Sequence, residues 1–292
     1  MMKKHKWDNY LSPMMCTECG LTEETDAPCP LRILSLGAGV QSTTLLMMMI
    51  EGQIQKADHA VFSDTGWEPK AVYEHLETLK PLMAEAGIEF HIVSAGRIQD
   101  DGLADMPWFT VNADGSKGKV RRQCTQKYKL KPLQKKQREL AGLVSGQRSK
   151  HHLVTSVIGI SWDEVQRVKD PFYPWIVNEY PLVDQRITRQ MCLDWMENHG
   201  FNKPPRSSCL GCPFHSDDEW RHIANNFPEE FEQVAALEDA IRERQSELLP
   251  SINGKPYLHR KRVALRTVDL RTNNEKGVVS FFDQECEGMC GL

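Results

Sequence analysis

The chain has 292 residues, 40% hydrophobic and 26% charged, which is enough apolar material for one large core or two small ones. A net charge of −4 argues against a nucleic-acid coat or a polybasic membrane binder. The longest strongly apolar stretch, around Leu45 to Ile50, is far shorter than the ~18 residues of a membrane span.

The amino-terminal MMKKHKWDNY lacks the apolar core of a signal peptide, so the expected compartment is the cytosol. Nine cysteines there, an odd number, point to metal, iron–sulfur or redox use rather than to a disulfide framework.

Residues 1–31 are polar and interrupted by Pro13, Pro28 and Pro30, and they read as an extension carrying Cys16, Cys19 and Cys29. RILSL, from Arg32, reads as a short buried strand, and STTLLMMMIEG as a helix stopped near Gly52. HAVFSDTG is a second strand and turn, followed by a helix over Pro69 to Ala86 with the proline in its first turn. IEFHIVSAG is a third strand. This alternation predicts βαβ units, hence an α/β fold with a mostly parallel sheet covered by helices. Gly96 to Gly118 reads as loop, and the segment from Lys117 to Leu140 carries ten Lys or Arg against one Glu. LVTSVIGIS reads as a fourth strand, NEYPLVD as a short fifth, and ITRQMCLDWMENHG as a helix ended by Gly200. Residues 215–249 look helical and the tail to Leu292 is mixed. The expected organisation is an extension (1–31), an α/β domain (32–214) and a helical, cysteine-bearing region (215–292).

A glycine-rich turn between a buried strand and a helix lets backbone N–H groups point at an anion, with the helix dipole in support. Gly37, Ala38 and Gly39 permit close approach, and Ser42 and Thr43 add hydroxyls in the first helical turn. No Lys follows as in a Walker A loop, and Ser42 replaces the third glycine of G-x-G-x-x-G. Asp64 and Thr65 follow the second strand, at the end of a parallel sheet where ligands bind. The two loops together suggest a nucleotide site, with Asp64 on ribose or a metal. A packing turn and a helix cap are the ordinary alternatives.

At LSLGAGVQST (Leu34 to Thr43) the sequence resembles the phosphate loop of the PP-loop, or adenine nucleotide alpha-hydrolase-like, superfamily, and within it the phosphoadenosine phosphosulfate (PAPS) reductase family. SDTGWEPKAVYEHL is similar to the Asp-Thr-Gly segment, VIGISWDEVQR to a nucleotide-side strand and loop, and YPLVDQRITRQMCLDWMENHGF to the closing strand and helix. Gln41 stands where ATP-using members usually have Asp, and is similar to the reductases. The resemblance implies a five-stranded, mostly parallel sheet that binds ATP or a sulfated adenosine nucleotide across its carboxyl edge. The nucleotide residues it implies are Ser35, Gly37, Ala38, Gly39, Gln41, Ser42, Thr43, Asp64, Thr65, Gly159, Asp163 and Arg167. Asp163, Glu164 and Arg167 also make sense as surface residues opening a helix.

Cys209 and Cys212 have Cys-x-x-Cys spacing on a turn, which lets two thiolates face one metal. By resemblance to cluster-bearing family members, Cys124 joins them as ligand of a [4Fe–4S] cluster. Gln123 stands where those reductases carry a second cysteine, so Cys286, Cys290, substrate or exogenous sulfide could supply the fourth ligand. Zinc or plain buried thiols are the alternatives. The terminal Cys290-Gly291-Leu292 is similar to the reductases' nucleophilic tail, although Cys286 and Cys290, at helical spacing, could instead fold back as ligands.

Cys16, Cys19 and Cys29 look like most of a small zinc knuckle, which His5 or a distant residue could complete. Arg121, Arg122, Lys127 and Lys129 (with Lys131) could bind substrate phosphate or a nucleic-acid backbone, or simply form a solvated helix face.

Two chemistries follow. In the leading one, a sulfonucleotide (PAPS or adenosine phosphosulfate) is reduced to sulfite, with attack by Cys290 and a thioredoxin- or glutaredoxin-type reductant. In the alternative, ATP and Mg²⁺ activate a carbonyl of a tRNA or DNA base, which a sulfur donor then thiolates through the cluster. A non-catalytic nucleotide-binding subunit is a third possibility, and a homodimer is compatible with any of them.

Overall fold

Ile33 and Leu34 are neighbours in one strand, both fully buried, and they enter different apolar clusters because successive strand side chains point to opposite faces. A strand covered on both sides in this way belongs in the middle of a layered α/β fold. The computed structural model describes residues 4–8, 14–17, 22, 28–272 and 275. Cys19, Cys286 and Cys290 lie outside the described residues.

The described strands and helices are β1 (Trp7–Asp8), β2 (Met15–Cys16), β3 (Leu31–Ser35), α1 (Val40–Ile50), β4 (His59–Asp64), α2 (Lys70–Glu85) and β5 (Glu89–Ser94). They continue with α3 (Ile98–Asp101), β6 (Phe109–Val111), β7 (Lys117–Lys119), a π-helical Thr125–Leu130 leading into α4 (Lys131–Leu140), β8 (Val154–Ile158) and β9 (Ile176–Glu179). The remaining ones are α5 (Pro181–Asp184), α6 (Arg189–Asn198), α7 (Asp217–Asn226), α8 (Pro228–Glu243), α9 (Gln245–Leu248) and β10 (Lys255–Tyr257).

These elements form two compact units whose segments alternate along the chain. The first comprises Met1–Asp64, Lys70–Val93 and Leu130–Ser207, and the second Thr65–Pro69, Ser94–Lys129 and Ser208–Leu292.

In the first unit the five-stranded sheet has the order β5-β4-β3-β8-β9, and β3 pairs in parallel with both β4 and β8, as does β8 with β9. This is the expected α/β architecture. Leu34, Ala60, Phe62 and Val157 face the cluster that holds α1, α2 and α6, while Ile33, Val61 and Val154 face Leu133 of α4 and Trp175. Helix α1 is apolar nearly all round, with Leu45 to Met49 all buried, as a helix enclosed between sheet and neighbouring helices must be.

Two readings of the sequence need correction here. The fifth strand is Ile176–Glu179, and the following Pro181–Asp184 is a helical turn, because proline at the first helical position cannot extend a ladder. The stretch from Gly96 to Gly118 is more than loop. It holds α3 and two strands of an antiparallel sheet ordered β10-β6-β7 in the second unit.

The second unit is organised around Trp108 and Trp220, both fully buried. Its helical stretch is divided by Phe227 and Pro228 into α7 and α8. Glu238 of α8 is buried and accepts from the backbone N–H of Leu258 (2.8 Å) and Leu265 (2.6 Å), which ties the end of β10 and the following turn to the helix. Burial pushes its carboxyl above the ordinary range. Among the described residues no helix is long and apolar enough to cross a membrane.

Candidate functional site

In the first unit the chain runs from β3 outward to β4 and β5, then returns to place β8 and β9 on the other side of β3. The order reverses between β3 and β8, and ligands of open parallel sheets bind outside the carboxyl ends of strands at such a reversal. The glycine turn occupies this place. Ala38 adopts a left-handed conformation (φ 57°), and the Ser42 hydroxyl spans the turn, accepting from Gly37 N–H (3.1 Å) and donating to the Gly39 carbonyl (3.3 Å). Helix α1 then begins at Gly39 with no side-chain cap, so its first-turn N–H groups point toward an outside acceptor.

Gly159, just after β8, approaches this turn closely. A Cβ there would stand 2.9 Å from Ser42 N, a separation that real side chains do not tolerate. Ser207, which the sequence reading did not single out, stands 3.2 Å from where a Cβ of Gly39 would be.

Gln41 joins a polar network. Its amide nitrogen donates to Glu164 Oε2 (3.2 Å) and Ser161 Oγ (3.4 Å), and its oxygen accepts from Arg189 (3.0 Å). Arg167 pairs with the same Glu164 at 2.6 Å. Asp163 accepts from the backbone N–H of Arg189 at 2.9 Å, which places its charge at the start of α6. The Thr43 hydroxyl is fully buried and bonded to His75 of α2 (3.1 Å), and Asp64 accepts from Tyr73 (2.9 Å). Ser35 is the last residue of β3.

The second unit gathers Cys124, Cys209 and Cys212 on one pocket of about 510 Å³, counting its open mouth. Thr65, Arg122, Lys129 and Ser208 share the lining. Cys124 immediately precedes the π-helical segment, a distortion frequent at functional sites. The Cys-x-x-Cys turn is built by its neighbours. Cys212 N–H donates to the Cys209 carbonyl (2.9 Å), and Leu210 N–H to the Trp67 carbonyl (2.8 Å). A Cβ on Gly211 would fall 2.0 Å from the Trp67 ring, so only glycine fits at position 211 of this turn. His215, also buried, bonds the carbonyls of Cys209 and Leu210 (3.1 Å each) through Nε2 and Glu219 (3.2 Å) through Nδ1. Ser216 and Glu219 close a capping box at the start of α7.

Behind the thiols lies a buried polar cluster. The Thr65 hydroxyl donates to Glu68 (3.0 Å) and stands 3.2 Å from Cys209 Sγ, while Lys129 pairs with Glu68 at 3.3 Å. Burial first, and the Glu68 charge second, push the Cys209 thiol up to about 12. A cation at the pocket would be needed to hold it as thiolate near neutral pH.

Among the described residues the three sulfurs do not all lie within 4.8 Å of one another. Thiolates on a single zinc would be ~3.8 Å apart, given Zn–S bonds of about 2.3 Å in a tetrahedron. A four-iron cluster holds its cysteines further apart, each on a different iron. Cys124, Cys209 and Cys212 are the residues of this pocket whose donor chemistry could hold a metal ion or an iron–sulfur cluster.

The basic residues divide. Lys127, itself exposed, pairs with the buried Asp105 at 2.6 Å, and the half-buried Lys129 pairs with the buried Glu68 at 3.3 Å. Arg122 lies over the Phe214 ring (5.6 Å) together with Lys119 (5.1 Å). Arg121 is exposed. Glu68, Trp67 and His215 were not singled out from the sequence. The only local signal was their closeness to SDTG and to the Cys-x-x-Cys turn.

No protein-family model matches the sequence, and no curated protein matches it. Among solved structures the chain is similar to the U34-tRNA thiolase NcsA from Methanococcus maripaludis with its [4Fe-4S] cluster. The likeness has 18% sequence identity, covers 77% of this chain and 76% of that chain, and has a TM-score of 0.39.

Proposed function

We propose that the chain is an adenine-nucleotide-dependent sulfurtransferase that thiolates a base of a nucleic acid, tRNA in the first instance, with an iron–sulfur cluster held by Cys124, Cys209 and Cys212. The observation that carries this reading is the convergence of those three cysteines on one pocket with Arg122. Held by these three cysteines, such a cluster would supply iron able to carry the sulfur that is transferred.

The chain's own residues would do the rest. First-turn N–H groups of α1 bind the nucleotide's phosphates and stabilise the leaving pyrophosphate as a base carbonyl oxygen attacks the α-phosphorus. Gln41, held by Glu164 and Arg189, fixes the wall of that turn. Asp64 is assigned the magnesium that accompanies ATP, Arg122 gives the cysteine pocket positive charge, and Lys129 offsets the buried Glu68 beside it. Sulfide then displaces adenylate from the activated carbon, leaving a thiocarbonyl and AMP.

A second reading, thiol-dependent reduction of PAPS or adenosine phosphosulfate, is favoured by one feature. The turn position at 41 presents a neutral amide already bonded to Arg189 rather than a carboxylate. The nucleophile of that reading, Cys290, lies outside the described residues.

Anaerobically purified protein separates the two. The thiolase reading expects bound iron that is lost in Cys124→Ser, tRNA-dependent pyrophosphate release from ATP, and thiolated nucleosides by mass spectrometry. Sulfite formed from PAPS with thioredoxin, and abolished by Cys290→Ser, would replace it with the reductase reading. Nucleotide binding with neither product would leave a binding subunit and end both.

A further inference from the structure

Outside the cysteine pocket, a second group of soft ligands stands at the amino-terminal end of the first unit. Cys16 and Cys29 are both 97% buried, and their sulfurs are 3.9 Å apart. The His5 ring lies close enough that all three ligand atoms fall within 4.8 Å of one another. The local backbone explains the meeting. Trp7 pairs with Cys16 in an antiparallel ribbon, and Thr17 N–H and hydroxyl both bond the Lys6 carbonyl (2.8 and 3.1 Å), which brings His5 alongside the chain that follows Cys16. Met15 also bridges to Thr22, so the chain doubles back after Cys16. Cys29 arrives from the other direction, just ahead of β3.

We propose that His5, Cys16 and Cys29 form a structural zinc site, independent of the proposed reaction, that fastens the amino-terminal ribbon to the approach of β3. The sulfur separation agrees with the ~3.8 Å edge of a tetrahedral zinc site with Zn–S bonds of about 2.3 Å, which the Cys124 pocket does not satisfy. Two thiolates and an imidazole suit zinc over magnesium or calcium, which prefer oxygen. As neutral groups the two thiols share one weak S–H···S contact, whereas a divalent cation would bind both as thiolates. Water or a further side chain would complete the tetrahedron. The site thus differs in kind from the Cys124 pocket: a buried clip of two thiols and an imidazole in the first unit, against an open cysteine pocket in the second.

The test is metal analysis of the full-length chain. Zinc is expected in stoichiometric amount, retained in Cys124→Ser and in Cys209→Ser, and lost in the double variant Cys16→Ser with Cys29→Ser, which keeps whatever iron the wild type carries. Another histidine group, His59, Glu89 and His91, also has its donor atoms within 4.8 Å. There the two imidazoles already hydrogen-bond each other at 3.2 Å and Glu89 is exposed, so His91→Ala should retain the zinc.

If the double variant fails to fold, Co²⁺ loaded into the wild-type protein still decides. Thiolate-to-cobalt charge transfer with strong tetrahedral d–d bands is expected, shifted by His5→Ala. Absence of zinc and of those cobalt bands, zinc that survives in the double variant, loss in His91→Ala, or a Cys16–Cys29 disulfide by mass spectrometry would each overturn the site. Iron content and thiolation, read on the same samples, report on the Cys124 pocket separately.

Discussion

The glycine turn of the first unit offers a ligand mostly backbone, whereas the cysteine pocket of the second offers side chains held by further side chains. The turn follows from topology, since a parallel sheet whose strand order reverses beside β3 leaves a crevice there and an uncapped helix supplies donors. The pocket depends on packing. Trp67, His215 and the Thr65–Glu68–Lys129 cluster fix a loop that has little regular structure of its own. Backbone sites tolerate changes of side chain but not of space, and side-chain sites fail when a supporting group changes.

The largest test of that contrast is Gly211→Ala. Its Cβ would overlap the Trp67 ring, so the turn must move, and a loss of about 3 kcal/mol is expected, read as a lowered denaturation midpoint together with loss of bound metal. Gly159→Ala acts on the other region. Crowding Ser42 N by a methyl group should weaken ATP or PAPS binding about tenfold, equivalent to about 1.4 kcal/mol, while metal content stays unchanged. Calorimetric titration of the nucleotide, beside iron and zinc analysis, checks both halves. An equal loss of metal and nucleotide in either variant would break the separation.

A smaller effect concerns the thiols. The thiols of Cys192, buried in the first unit, and of Cys209, a half-buried residue of the second, are each raised from 9.0 to about 12, chiefly by desolvation. In metal-free protein the unfolded chain ionises these thiols from about pH 9, while the folded protein keeps them neutral until about pH 12. Stability from this source is therefore complete below pH 9 and falls as pH rises through that window, which urea unfolding at pH 8, 9 and 10 can follow. Smaller still, Glu68→Gln removes the charge that is the second cause of the Cys209 shift. The thiol of metal-free protein should then alkylate faster at pH 9, yet more slowly than an exposed cysteine, because burial remains. An unchanged rate would mean that Glu68 does not reach Cys209.

Much of the first unit was legible because its signals are local and repeated. RILSL, HAVFSDTG and LVTSVIGIS carry the apolar runs of strands buried on both faces, and Gly37 to Gly39 interrupts them where a turn must form. The second unit was less legible. Its strands β6, β7 and β10 are three residues each, and β6 pairs with a segment well over a hundred positions away, so neither periodicity nor turn chemistry announces them. The site shows the same division. Cys209 and Cys212 declare themselves by spacing, and His5 stood open as a partner for the front cysteines. Glu68, Trp67, His215 and Ser207 are ordinary residues in sequence, and only their neighbours give them a role.

The sequence by itself determined the alternation of strands and helices, the bare turn before α1 and the residue types able to hold metal, because each of these is set by chain stiffness, side-chain period or donor chemistry within a few positions. Tertiary structure decided which thiols meet, Cys16 beside Cys29 and Cys124 on one pocket with Cys209 and Cys212, since those meetings depend on segments distant in the chain being packed to van der Waals contact.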